Sequence, residues 1–486
     1  MAADEPSIGA RTVRGMYWAY GSFVAGRSLT LVSTAVLAHL LDPRDFGLVA
    51  LALVFTALLE TVADLGIAQA LVITREEEVL ERADTVFVVS VALGTLLSAV
   101  IAALGPAMAA FFSQPELAWL MGLLGLNFVL RALGITHYAL AEKRLDFRAR
   151  TQAEVLDVLV RGVVSIALAV AGLGAASIVL GYLAGTAVLS ATLWAVVPWR
   201  PRLRARRDHL RGLVRFGVAY SAVDILAAVS ANVDDLFIGR VLGPSALGLY
   251  SIGFRLPDLV VMNLSLVAGR VLFPAFAAVA RERLPAAFIV AFRYTMLFAI
   301  PLAVGLAALA EPVILALFGE QWEGSVDVMR VLALEALLLT MNIPAGTVYK
   351  STGRPQVLLW IGIPRLIVLV AALALLVDDG IVAAAACQAA SAAVMAIIGT
   401  ALAGRLLGVG WRPLLAELPA PLLAAAAAGA VMAGLAWSLP PWPALLTGVP
   451  AGACVYVGLL WLLRRDAVVE IWRRLLPARA HHLAKS

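Results

Sequence analysis

The chain has 486 residues, 62% of them hydrophobic and only 14% charged, with 37 lysines and arginines against 32 acids and a formal charge of +5. A soluble domain carries roughly one charged residue in four, so a mean hydropathy of +0.94 excludes a soluble enzyme and leaves an integral membrane protein. Its two cysteines, Cys387 and Cys454, both lie inside apolar runs, which excludes a disulfide framework or a cysteine metal motif and makes them small core residues.

Apolar runs of about 20 residues, the length that crosses a hydrocarbon core, predict fourteen transmembrane helices. They fall near 16–39, 47–73, 85–111, 117–140, 153–172, 176–198, 216–240, 248–273, 286–310, 325–349, 356–377, 381–404, 417–438 and 443–463. The fold class is therefore an all-α polytopic membrane protein, since a helix satisfies its backbone within one segment. The first 15 residues lack a signal-peptide cleavage pattern, so the first span is expected to stay in the mature protein. Lysine and arginine are asymmetric: the N-terminus, the even-numbered connections and the C-terminal tail hold 27, while the odd-numbered connections hold Arg44 and Arg240 alone. Basic connections stay in the cytoplasm, so both termini are expected there. The densest cluster, "WRPRLRARRDHLRGLVR" at 199–215, reads as a topology signal and a contact for anionic lipid, not a nucleic-acid site. The acidic run "TREEEVLERAD" at 74–84 reads as a solvated face of a short linker, and His137 as a packed polar residue.

The chain repeats itself. "LAHLLDPRDFGL" at 37–48 aligns with "IGRVLGPSALGL" at 238–249, an offset of 201 that pairs Leu41 with Leu242, Pro43 with Pro244, Gly47 with Gly248 and Leu48 with Leu249. Six spans separate the copies, an even number, so the two six-helix halves run parallel, a transporter-like arrangement in which substrate sits between lobes. The expected domains are an N-terminal lobe (1–198), a basic linker (199–215), a C-terminal lobe (216–404), an extra helix pair (405–463) and a basic tail (464–486).

Eight basic residues remain inside spans, and all are arginine: Arg27, Arg131, Arg161, Arg255, Arg270, Arg293, Arg330 and Arg365. An arginine at mid-membrane costs about 2.5–3.5 kcal/mol on insertion scales, so each needs a partner, a watery cavity or a ligand. Arg270 and Arg330 lie near span ends and can snorkel. Arg161 stands four residues after Asp157, a helical ion-pair spacing, and with Arg131 stays open between a structural and a ligand role. Arg27, Arg255, Arg293 and Arg365 are the candidates for binding substrate. Glu60, Asp64, Asp224, Asn232, Asp235 and Asp258 are the cavity or ion-coupling candidates, with Glu154, Asp157 and Asp234 as further span acids. Helical spacing puts Tyr20, Arg27, Thr30 and Thr34 on one stripe of span one, and Ser221, Asp224, Asn232 and Asp235 on one stripe of span seven. The bland reading of Arg27 is a bridge to Glu60 at similar depth. Against it, the position 201 residues on is Ala228: the turn recurs in the second half and the charge does not.

The segments "LLDPRDFGLVALALVFTALLETVADLGIAQALV" and "RALGITHYALAEKRLDFRARTQAEV" make the chain similar to the Wzx-type oligosaccharide and lipopolysaccharide flippases of bacteria. These are a branch of the multidrug, oligosaccharidyl-lipid and polysaccharide exporter superfamily, and "LLDPRDFG" with "AEKRLDF" is the most specific part of the likeness. The resemblance implies two six-helix lobes about a central cavity lined by the first, second, seventh and eighth helices, which here carry Arg27, Glu60, Asp64, Asp224, Asp235 and Arg255. It implies a glycan linked through a diphosphate to a polyisoprenoid lipid, flipped across the bacterial cytoplasmic membrane by alternating access with no bond made or broken. The partners it brings are that lipid-linked glycan, anionic membrane lipid and polysaccharide-assembly machinery, with no nucleic acid. Guanidinium groups suit a diphosphate because they hold phosphate oxygens bidentately and keep their charge. No cofactor or nucleotide loop is implied, and coupling of the buried carboxylates to a proton or to sodium stays open. Two rivals remain. A cation-coupled multidrug exporter would favour acids without arginine in the first span, and a membrane glycosyltransferase or polymerase would favour a large extramembrane loop, whereas the longest connection is 17 residues.

Overall fold

The computed structural model describes residues 26–63, 71, 79–202 and 225–465, and among these there is no strand. The helices in chain order begin with α1 (26–40), α2 (Pro43–Ala63), α3 (Val79–Phe112), α4 (Glu116–Lys143), α5 (Phe147–Val170), α6 (Ala175–Val196) and α7 (225–241). Next, α8 (Pro244–Leu256) runs through a π-helical turn (Pro257–Met262) into α9 (Asn263–Ala278). Then come α10 (Leu284–Ala308), α11 (Ala310–Leu317), α12 (Val326–Met341), α13 (Ile343–Ser351), α14 (Gln356–Leu376) and α15 (Ile381–Leu407). A short α16 (Trp411–Leu415) precedes the last pair, α17 (Pro419–Ser438) and α18 (Pro441–Leu463). Each of the fourteen expected segments overlaps helix among its described residues, with ends that differ by a few residues. Span ten is two helices, α12 and α13, because Pro344 has no N–H for the carbonyl four residues back.

The helices form two compact units, Met1–Ser251 and Ile252–Ser486. Unit one takes in α7 and the first turns of α8, and the repeated turn shows why. Pro43 and Pro244 open α2 and α8 at the first helical position, where a missing N–H costs nothing. A Cβ on Gly47 would lie 1.7 Å from the carbonyl oxygen of Pro244, and one on Gly248 would lie 1.8 Å from that of Pro43. The two copies of the motif therefore lie backbone on backbone, each glycine on the other copy's proline. Asp45 of the same turn accepts a hydrogen bond from the Ala175 backbone N–H at 2.9 Å, capping the N-terminus of α6. Arg44 meets Glu116 at 2.6 Å at the head of α4.

The "KRLDF" turn between α4 and α5 is equally specific. Leu145 adopts a left-handed conformation (φ +54°), the Asp146 N–H returns to the Ala141 carbonyl at 2.9 Å, and the Asp146 carboxylate accepts from the Ala149 N–H at 3.0 Å. α4 is thus closed and α5 opened within three residues. α5 and α6 approach closely through Gly181 and Gly185, one turn apart on α6, whose missing side chains leave room for the Arg161 carbonyl and Asp157.

Unit two packs about α10. Phe288, Phe292 and Met296 are buried among Tyr349, Leu414 and Tyr456. The Tyr456 hydroxyl donates to the Leu297 carbonyl at 2.7 Å, a polar fastening of α18 to α10. Trp437 and Trp442 flank the turn between α17 and α18 and stay exposed, the placement of an aromatic belt at a membrane–water interface.

Candidate functional site

Charge inside a membrane protein must be accounted for side chain by side chain. On α1, Arg27 is exposed, while the hydroxyls of Thr30 and Thr34, on its stripe, donate back to the carbonyls of Gly26 and Thr30 at 2.9 and 2.8 Å. Part of the expected polar stripe is thereby satisfied within its own helix. Glu60, on α2, reaches α4 and α6: it accepts from Asn127 Nδ2 at 3.1 Å and Tyr182 OH at 3.4 Å, and its second oxygen lies 3.4 Å from Arg131 Nη1. The expected Asp157–Arg161 pair is formed at 3.0 Å, and the Arg161 guanidinium lies over the Tyr182 ring at 4.3 Å from its centroid. Five residues from four helices form one polar network around Tyr182, with Asn127 alongside. Sequence reading missed Asn127 and Tyr182; the one signal for α4 was the spacing of Asn127 and Arg131, one turn apart.

Asp64 and Asp224 lie outside the described residues. On α7, Asn232 donates to the Ala228 carbonyl at 2.7 Å, its own helix again. Asp235 is half-buried and its neighbour Asp234 is buried, accepting from the Tyr250 hydroxyl of α8 at 2.5 Å. Arg255 ends α8 as an exposed side chain, and Asp258 sits in the π-helical turn that follows. Such turns gather at functional positions because they break the regular ladder. Pro257 lacks a backbone N–H, which removes one helical donor there.

In unit two, Arg293 of α10 donates from Nε and Nη2 to the two oxygens of Glu417 at 2.8 and 2.7 Å, a bidentate pair. Arg464, just past α18, donates to the same carboxylate at 2.6 Å. Glu417, between α16 and α17, is 8% exposed, so a single buried acid fastens the last helix pair to α10. No spacing or motif pointed to that acid, which stands at a span edge 124 residues from Arg293. Arg365 of α14 contacts α15 through Ser391 Oγ at 3.3 Å, Gln388 Oε1 at 3.4 Å and Met395 Sδ at 3.7 Å. Among the described residues, no three of His, Cys, Asp or Glu are grouped to hold a metal ion.

The chain as a whole is similar to known proteins. The model of the family described as "Polysaccharide biosynthesis protein" matches residues 36–327. The succinoglycan biosynthesis transport protein ExoT of Rhizobium meliloti (strain 1021) is 30% identical over 381 residues, covering 77% of this chain and 76% of that protein. The lipopolysaccharide biosynthesis protein WzxC of Escherichia coli (strain K12) is 28% identical over 355 residues, 72% of each chain. Among solved structures, the lipid II flippase MurJ in an inward closed conformation superposes with a TM-score of 0.77, covering 93% of this chain and 100% of that one at 12% identity. An inward-facing multidrug resistance MATE family transporter of the MOP superfamily gives 0.62 at 16% identity, covering 79% and 94%. At those identities the two structures establish the fold alone, that of a polytopic helical membrane protein. The matched family and the 30% identity to ExoT go further: the chain belongs to the polysaccharide biosynthesis protein family and is a membrane transport protein, not an enzyme.

Proposed function

We propose that the chain is a flippase that moves a polyisoprenoid-diphosphate-linked oligosaccharide, a precursor of lipopolysaccharide, O-antigen or exopolysaccharide, from the cytoplasmic to the outer leaflet of the bacterial inner membrane. The observation that carries this reading is that every basic residue within the expected spans is an arginine, in a chain whose named relatives serve polysaccharide biosynthesis. A diphosphate carries two or more negative charges that cannot pass hydrocarbon uncompensated, and guanidinium compensates them without giving up its proton. Arg27, Arg255 and Arg365 are assigned to the diphosphate and glycan path, with Arg293 holding Glu417 in the described conformation. Asp235, Asp258 and Glu60, together with Asp64, Asp224 and Asn232, form the polar lining, and the aspartates among them are where a proton or sodium ion couples transport to a gradient.

The cycle is alternating access: capture from the cytoplasmic side, rocking of the six-helix lobes, release outward, with the lipid tail left in the bilayer. Both termini face the cytoplasm, and the basic connections rest against anionic lipid. A cation-coupled multidrug exporter of the same fold is the second reading, and the span arginines weigh against it because they repel organic cations. Deleting the gene tests the proposal. Accumulation of lipid-linked oligosaccharide on the inner leaflet, reversed by the intact gene, is the expected result; an unchanged leaflet distribution sinks it.

A further inference from the structure

The polar network of unit one turns its cations outward. In each of its two bridges the cation is the more exposed partner: Arg161 is 35% exposed over Asp157 at 14%, and Arg131 is 41% exposed over Glu60 at 22%. The acids lie behind and the guanidiniums in front. That exposure does not point at lipid. The exposed apolar stripe of α5 is Leu156, Leu159, Val163 and Val170, and at 100° per residue Arg161 stands about 200° around the helix from Leu159 and Val163. On α4 the exposed apolar residues are Trp119 and Leu126, and Arg131 is about 120–140° from each.

Donor capacity points the same way. A guanidinium has five N–H groups, yet among the described residues Arg161 donates only through Nη2, to both Asp157 oxygens at 3.0 Å. Its Nε is buried with no hydrogen-bond partner. The head is nevertheless fixed, by Asp157 on one side and the Tyr182 ring on the other, and the Tyr182 hydroxyl connects it to Glu60 and so to Arg131. A cation has no claim on this place, because each carboxylate already carries an arginine. An anion does: two held guanidiniums, one with donors to spare, match the oxygens of a phosphate.

We propose that Arg161 and Arg131 form a phosphate-binding pair in unit one that contacts the diphosphate of the transported lipid, with Asp157, Glu60 and Tyr182 as positioning residues. This rests on the flippase reading above and adds two contacts to it. The test uses purified full-length protein in lipid nanodiscs and farnesyl diphosphate, a short polyisoprenoid diphosphate, with farnesol as the probe lacking phosphate. Wild type is expected to bind the diphosphate more tightly than farnesol. Arg161→Gln and Arg131→Gln are each expected to lose about tenfold in affinity for farnesyl diphosphate, the scale of a charge-assisted hydrogen bond, with farnesol unaffected. Arg161→Lys should fall between them and wild type. Tyr182→Phe, which keeps the stacked ring, should weaken binding only a few fold.

The double variant Asp157→Asn with Arg161→Gln leaves no unpaired acid and serves as the folding control. It should melt like wild type and still bind tenfold more weakly. If that double variant, or both single variants, bind farnesyl diphosphate as wild type does, the arginine pair is not the site. If wild type itself prefers farnesol or shows no preference, the diphosphate reading of the whole protein falls, and this inference with it. Inorganic pyrophosphate should compete with the probe. Competition by phosphatidylglycerol to the same degree would assign the pair to a bilayer headgroup and overturn the proposal.

Discussion

The side chains that matter in this protein are separated by what holds them. Arg293 is committed to Glu417 by two short bonds; Arg27 is an exposed side chain of α1, on one stripe with Thr30 and Thr34. Arg27→Ala is expected to insert at normal levels and to lose polysaccharide export, with Arg27→Lys retaining part of it because a point charge replaces a bidentate fork. Membrane abundance by immunoblot beside complementation of a deletion strain checks this, and normal export by Arg27→Ala removes the residue from the substrate path. Glu417→Ala should behave differently, since it strands two guanidiniums. Breaking a buried pair costs about 3–5 kcal/mol, and at 26% and 30% exposure of the two arginines the lower end applies. Purified protein should melt several degrees earlier, with Arg464→Ala milder because the Arg293 bonds survive. Of these arrangements, the Asp157–Arg161 pair was legible in the sequence, because four residues on a helix is one turn. The Arg293–Glu417 pair and the position of Tyr182 over Arg161 were not, because they join helices that only tertiary packing brings together.

Whole elements were easier to foresee than their interruptions. Hydropathy finds a span because lipid demands some 20 apolar residues in succession, and that demand is local. The π-helical turn at Pro257–Met262 and the break before α13 leave the hydropathy of their spans intact, so the apolar pattern passes over them. The short motifs "LLDPRDFG" and "KRLDF" were recognisable as strings, and the structure gives the reason in each residue: a helix-starting proline, a cap for a neighbouring helix, a glycine against backbone, a left-handed closing residue. One of those residues is a poor chemical choice for its conformation. A leucine in left-handed geometry costs about 1–2 kcal/mol, and Leu145 is 54% exposed, so little packing is gained in return. Leu145→Asn should therefore raise stability by about 1 kcal/mol, since asparagine tolerates that region. A higher melting temperature of the purified protein with unchanged export would show it; a fall would mean the leucine side chain is needed where it lies.

For the molecule as a whole, the arginine and lysine asymmetry makes a prediction independent of transport. A green fluorescent protein fused at the C-terminus should fluoresce, and a thiol introduced at Ser245 should react with an impermeant maleimide in intact cells. The reverse pattern would invert the topology on which inward capture depends. The repeat was visible in the sequence as an offset of 201, but its meaning was not: the two copies are also each other's contact surface, Gly47 on Pro244 and Gly248 on Pro43. At the two glycines themselves the junction is main chain against main chain, with the Leu51 side chain packed on Gly239 beside them. Those two backbone crossings contribute dispersion and weak C–H···O contacts, about 0.5–1 kcal/mol each. Because each glycine faces one particular carbonyl, a side chain at either position would push the two copies out of step, so the pair of glycines acts as an index mark that fixes how one copy lies on the other.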